Sequence, residues 1–468
     1  MSGKGDEVIP NMKVDTVVKD CRIVRPTGLL EASIAINDGK IVAISKEPYL
    51  PEAHKVIDAE GNYVIPGVID VHTHFGAHHS LEEDMKDTIG AVFGGVTTVG
   101  NYLGLGKESG KDSYQEKFEI WKGVWEKLSF CDVFFHSSII SEENLREINR
   151  NGRDFGIASS KFFMAYKGPE GEEIGAAAAD DGLLWAGFKD IASLSYPARA
   201  MVHAENIDII YRIKKKIEAT GRQDLAAWDE SRPGFCESLD IKRAISIAQQ
   251  TGAPLYVVHV HYRESVDVIE QAQRQGIDVV GETCPQYLVL DRTLPVGPLG
   301  KINPPITAKD SCERLWQGIR DGVINCIGTD HSSTTTSMKK ELWHDAAPGI
   351  PGVEHLLPLM LSEGVNKERI TIQKLVEVLC ANNAKVFGIW PQKGVIQVGS
   401  DADLVIIALT QKGKIALNKE HCISDYTLYD GWEITGWPIL TILRGNIVVA
   451  DNRLQVNPGL GKYLPRYC

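Results

Sequence analysis

Residues 64–74 close an apolar run, VIPGVIDV, with His72-Thr73-His74. On a strand, the period of two puts both imidazoles on one face and turns Thr73 away. Two neutral imidazoles at that spacing form half of a transition-metal site, and Asp70 lies on the same side. A pair of polar residues satisfied at a strand end is the alternative, so the pattern calls for more ligands elsewhere.

Candidates for the other half stand at the ends of later apolar runs: Lys161, His203, His259 and Asp330. Lys161 is the odd member, because an ammonium repels cations. Burial beside cations lowers a lysine pKa, and a carbamate formed with carbon dioxide gives the side chain a carboxylate-like head able to bridge two metals. His136 ends another run and is a candidate cavity residue. His261 reads as a loop residue, His331 as an orienter of Asp330 or a packing residue, and His78 and His79 as substrate-facing or solvent-facing.

These side chains converge if their runs are barrel strands. The runs are VIDVH, TTVG at 97–100, DVFFHS at 132–137, SKFFMA at 160–165, AMVHA at 200–204, LYVVHV at 255–260, DVVGE at 278–282 and NCIGTD at 325–330. Helical patterns separate them, as a (β/α)8 TIM barrel requires, with the active site at the C-terminal strand ends. A doubly wound open sheet is the rival, since periodicity does not report closure. No GxGxxG follows an early strand, which removes the usual support for a dinucleotide fold. Residues 238–252 read as a helix ending at Gly252, and residues 116–128 as a helix whose aromatic stripe belongs to the core.

Strand-like segments with tight turns flank the barrel region, and Asn37-Asp38-Gly39 is a strong hairpin signal. The division expected is residues 1–65 and 391–456 as two parts of one small β-sandwich-like module, 66–390 as the barrel, and 457–468 as a tail docked on a surface or a neighbouring subunit.

The chain has 468 residues, 43% hydrophobic and 24% charged, which suits a large domain plus a smaller one. A net charge of −12 argues against nucleic acid as a partner. No run reaches the length of a membrane span and the N-terminus lacks a signal core, so a cytoplasmic protein without membrane association is expected. Nine scattered cysteines without CxxC spacing fit reduced thiols.

The stretches VIPGVIDVHTH, SSKFFMAYKG, MVHAEN, LYVVHVH, VVGETCPQYL, KINPPI, IGTDHS and GIPGVE, in this order, resemble the dihydropyrimidinase and hydantoinase family of cyclic-amide hydrolases in the amidohydrolase superfamily. The resemblance implies two divalent metal ions, zinc with manganese or cobalt as substitutes. His72, His74, Lys161 and Asp330 would hold the more buried one. His203 and His259 would hold the other, shared through Lys161 as N6-carboxylysine and a bridging hydroxide. It further implies Asp330 as general base and then acid, Tyr166 as the hydroxyl that steadies the oxyanion, and a homo-oligomer, tetramer or dimer.

Departures from the family pattern fall on substrate recognition. Asn303 precedes Pro-Pro where the family has serine, and Pro348-Gly349 replaces Asn-Gly. Pro348 keeps its carbonyl acceptor but has no N–H. No arginine follows His74, which argues against dihydroorotate. A neutral cyclic ureide or imide is expected, with Tyr102 and Phe75 as candidate pocket walls. Allantoin, another lactam or imide, an acyclic N-acyl amino acid, and a non-catalytic scaffold role on the same fold are the alternatives.

Overall fold

The apolar runs fold, in a computed structural model, into eight parallel strands whose order around the sheet follows the chain. Residues 13–46, 49–103, 114–168, 171 and 178–468 are described. The strands are Val68–Thr73, Val96–Leu103, Asp132–Ile139, Ser159–Phe163, Arg199–His203, Leu255–Val257, Val279–Thr283 and Ile324–Ile327. Nearly every residue in them is buried, as expected when helices cover one face and the barrel interior the other.

The barrel closes between its first and last strands through a bridge of Thr73 to His331 and the His74 N–H donating to the His331 carbonyl at 2.8 Å. Asp70 seals this seam rather than facing the site. Its carboxylate accepts from the Thr329 N–H at 2.9 Å and the Thr329 hydroxyl at 2.5 Å.

Two barrel strands stop earlier than their apolar runs suggest. The sixth ends at Val257 and the eighth at Ile327, so His259 and Asp330 sit on the turns beyond. Both adopt left-handed backbone, with φ of 40° and 55°. Non-glycine residues in that region cost conformational energy and concentrate at functional sites.

Tyr63–Pro66 joins the terminal segments into one sheet. It pairs parallel with Val14–Arg25 and antiparallel with Leu404–Lys414. The module is a single nine-stranded mixed sheet, curled so that Ile34 and Ile36 pack with Leu404, Ile406 and Ile442 in one cluster. Asn37 pairs with Lys40 across a two-residue loop, and Asp38 and Gly39 take φ of 48° and 73°, the primed turn expected.

A buried charge node ties this sheet to the barrel. The Lys393 ammonium lies 2.6 Å from Asp132, 3.0 Å from Asp401 and 2.6 Å from Asp403, and Arg444 also bonds Asp132. The ammonium fills the acidic cluster, so the node is structural.

The tail docks on its own barrel. Val133 exchanges backbone bonds with Lys462 and Leu464 at 2.9 and 2.7 Å, and buried Arg466 bonds Ser159 at 3.0 Å over the Phe134 ring. The helix Phe235–Thr251 ends at Gly252, φ 77°, as its pattern predicts. In Tyr114–Leu128, Phe118 and Trp125 are core residues. Among the described residues, no helix is long and apolar enough to cross a membrane.

Candidate metal centre and active site

His72 ends the first barrel strand and His74 follows it. Their Nε2 atoms lie 3.2 and 3.0 Å from the same Asp330 oxygen. The Nδ1 of His72 meets Glu282 at 2.6 Å, so its N–H donates there and Nε2 is the nitrogen turned toward the site. That Nε2 is buried without a hydrogen bond.

His203 ends the fifth strand with its Nε2 2.7 Å from Glu205, which leaves Nδ1 facing the Nε2 of His259 at 3.1 Å. Glu205 is in turn gripped by buried Arg232 at 3.0 and 2.8 Å. The His72 and His259 rings stack at 5.4 Å and join the two histidine pairs, and Tyr166 sits 5.2 Å from His203, ring to ring. Lys161, 1% exposed, has its Nζ 4.7 Å from the Tyr102 ring, and that ring lies 4.9 and 4.8 Å from His72 and His74. Among the described residues it makes no ion pair with a carboxylate.

Electrostatics favour a cation here. Burial pushes His203 down to about 4 and His259 well below its ordinary range, so both are neutral donors. Burial also opposes charge on His72, but the Glu282 and Asp330 carboxylates outweigh it and lift that pKa to about 9, a proton where a metal ion would sit. Asp330 is held well below the usual carboxylate range. Burial opposes this, but His72 and His74 prevail. Burial lowers Lys161 to about 8. His72, His74 and Asp330 bring one donor atom each within 4.8 Å of one another. Imidazole nitrogens, a carboxylate and a buried unbonded Nε2 together fit a divalent transition metal.

A family model described as "Amidohydrolase family" matches residues 179–448. An L-hydantoinase of Paenarthrobacter aurescens is 36% identical over 97% of this chain and 98% of its own length. The chain belongs to the amidohydrolase family, in its hydantoinase and dihydropyrimidinase branch.

A D-hydantoinase of Geobacillus stearothermophilus is likewise 36% identical, over 96% of each chain. Among solved structures, the L-hydantoinase (dihydropyrimidinase) from Arthrobacter aurescens superposes with a TM-score of 0.89 at 35% identity, covering 97% of this chain and 100% of that one. A dihydropyrimidinase from Brevibacillus agri gives 0.88 at 31%, covering 97% and 98%.

In this amidohydrolase His136, His261 and His331 have structural partners. His136 sits fully buried in the barrel interior between Ser159 at 2.6 Å and the Val71 carbonyl at 3.1 Å, with both ring nitrogens engaged. His261 bonds Glu237 at 2.7 Å, and His331 bonds Asp87 at 3.1 Å and the Gly352 N–H. Phe75 is fully buried against Trp125, so it belongs to the core and not to a pocket wall. Tyr102 lies beneath the histidines, buried to 1%. Asn303 is 7% exposed with Oδ1 unbonded, and the Pro348 carbonyl accepts from His78 at 3.1 Å.

Glu205, Arg232 and Glu282 escaped the sequence reading. The visible signal was a carboxylate inside an apolar run, VVGE, and another directly after a strand-end histidine, HAE. Buried carboxylates of this kind require a partner.

Proposed function

We propose that this chain hydrolyses the C–N amide bond of a neutral cyclic ureide or imide of the hydantoin or dihydropyrimidine type. The observation that carries the reading is the convergence of two imidazole pairs, one neutral and one sharing the Asp330 carboxylate, at one end of a barrel. In this reading His72, His74 and Asp330 hold one divalent cation and His203 and His259 a second, with carboxylated Lys161 between them. Zinc suits the donor set, and manganese or cobalt can replace it. When bound, such ions supply Lewis acidity and lower the pKa of water.

The remaining chemistry belongs to side chains. Asp330, ionised and adjacent to both histidines of the first pair, takes the proton of the attacking water and returns it to the leaving ring nitrogen. One carboxylate serves both steps because both atoms lie within its reach. The Tyr166 hydroxyl donates to the oxygen that becomes negative in the tetrahedral state. Losing one such donor elsewhere costs about 100-fold or more in kcat. Tyr166→Phe is therefore expected to lower kcat roughly 100-fold with metal content unchanged, and unaltered turnover would remove Tyr166 from the mechanism. Asn303 and the Pro348 carbonyl orient the ring.

Glu205 and Glu282 fix the ring orientation and tautomer of His203 and His72. Partners of this kind govern metal affinity by about 10- to 100-fold. Glu282→Gln is expected to weaken metal retention on that scale in a chelator competition, while retention equal to wild type would show that His72 needs no such support.

The reading extends to a homo-oligomer, dimer or tetramer, working in the cytoplasm, where nine free cysteines persist as thiols. The deciding experiment is a screen of metal-loaded protein against hydantoins, dihydrouracil, allantoin, other imides, lactams and N-acyl amino acids. Ring opening of a ureide or imide is expected, and turnover of acyclic amides alone would overturn the proposal.

A further inference from the structure

Four consecutive carbonyls next to the proposed substrate grip each meet a side-chain donor. Ala346 accepts from Lys301 at 2.6 Å, Ala347 from Lys339 at 2.8 Å, Pro348 from His78 at 3.1 Å and Gly349 from Thr334 at 3.1 Å. Lys339 also bonds the Lys301 carbonyl at 2.8 Å, and the Gly349 N–H donates to that same carbonyl at 3.1 Å. Segments 301–303 and 346–349, which carry Asn303 and Pro348, are thus braced into one platform by buried lysines.

His78 differs from the other three donors. Lys301, Lys339 and Thr334 are buried, whereas His78 is less completely buried, on the loop that leaves His74. Burial of its ring, with Lys339 close by, holds its pKa down to about 4, so it is a neutral imidazole with one N–H to give. Gly349, φ 106°, packs its backbone against Ser332, where a Cβ would stand 2.6 Å from the Ser332 Cβ, with the His78 Nε2 at ordinary contact distance on the same side.

We propose that His78 is a specificity-determining residue that holds the Pro348 carbonyl in the free enzyme and yields it to a ring N–H of the substrate. This deepens the reading given under Proposed function and rests on it. A carbonyl that loses its water when a ring docks against it needs a donor from one side or the other. A ring bearing N–H replaces His78, whereas an N-alkylated ring leaves His78 in place and meets a narrower pocket. The substrate class is therefore a ring with a free N–H beside the scissile amide.

The test uses the metal-loaded enzyme, His78→Ala and His78→Gln, with hydantoin or dihydrouracil, whichever is opened, and the N,N′-dimethyl derivative of the same ring as a competitive inhibitor. Exchanging one net hydrogen bond corresponds to about three- to tenfold in affinity. His78→Ala should lower KM for the N–H ring by that factor, with the gain falling on KM rather than kcat, and should change the Ki of the dimethyl ring by a different factor, since that ring gains only the space His78 vacates and no hydrogen bond. His78→Gln, whose amide still donates, should keep the wild-type KM. An unchanged or raised KM in His78→Ala, or equal shifts for both ligands, would overturn the role of His78. Failure of the wild-type enzyme to open any cyclic ureide or imide would instead overturn the reaction itself, and this inference with it.

Discussion

Asp330→Asn is expected to lower kcat by about 10³- to 10⁴-fold, the upper range for a positioned acid–base group. The substitution preserves shape and volume but removes both the negative charge and the proton acceptor. One Asp330 oxygen sits 3.2 and 3.0 Å from the Nε2 atoms of His72 and His74, so loss of the charge also weakens the cation site. The two effects separate experimentally. Metal content measured on the same preparation reports the ligand role, and kcat corrected for occupied sites reports the proton transfer. A corrected kcat within tenfold of wild type would show that some other group moves the proton.

Lys161→Met is the second large effect, with an expected loss of roughly 10³-fold or more in kcat, comparable to removing a principal electrostatic group from a buried site. The lysine is 1% exposed and lies against the Tyr102 and Phe163 rings. Burial of an ammonium there outweighs the attraction of the Asp330 and Glu282 carboxylates, and its pKa falls to about 8. A useful fraction is then the neutral amine, the form that, in the proposed centre, would add to carbon dioxide with loss of one proton to give a carbamate. That anion would stand among histidines able to share a cation with it. Lys161→Arg keeps a positive charge but not this chemistry, and should be as inactive as Lys161→Met. Protein loaded with ¹³C-bicarbonate should show a carbamate carbon resonance that both variants lack. Wild-type activity in either variant would remove Lys161 from the centre.

Much of this architecture was legible because parallel barrel strands, buried on both faces, appear as uninterrupted apolar runs. All eight runs became strands in the expected order, and the Asn37-Asp38-Gly39 turn was readable because its backbone demand is local. Strand ends were less readable. His259 and Asp330 leave the sheet in left-handed conformations, a choice set by the tertiary site and not by their neighbours in sequence. The carboxylates behind the histidines were hidden for a related reason. Glu282 meets His72 across 210 residues, and nothing in a strand-end glutamate announces which imidazole it will orient. Phe75 looked like a pocket aromatic because it follows the histidine motif, yet the chain turns it inward against Trp125. The tail was read as docking on a surface or another subunit, and it lies along its own third barrel strand, from which Arg466 reaches Ser159 of the fourth.

Metal stoichiometry against activity is the most direct test of the centre. Protein purified without chelator and analysed by inductively coupled plasma mass spectrometry should carry two divalent ions per chain. Stripping them should abolish ring opening, and adding zinc, manganese or cobalt should restore it. His72→Ala and His203→Ala should each lower the count. A preparation that opens its substrate at full rate with less than about a tenth of an ion per chain would contradict the account.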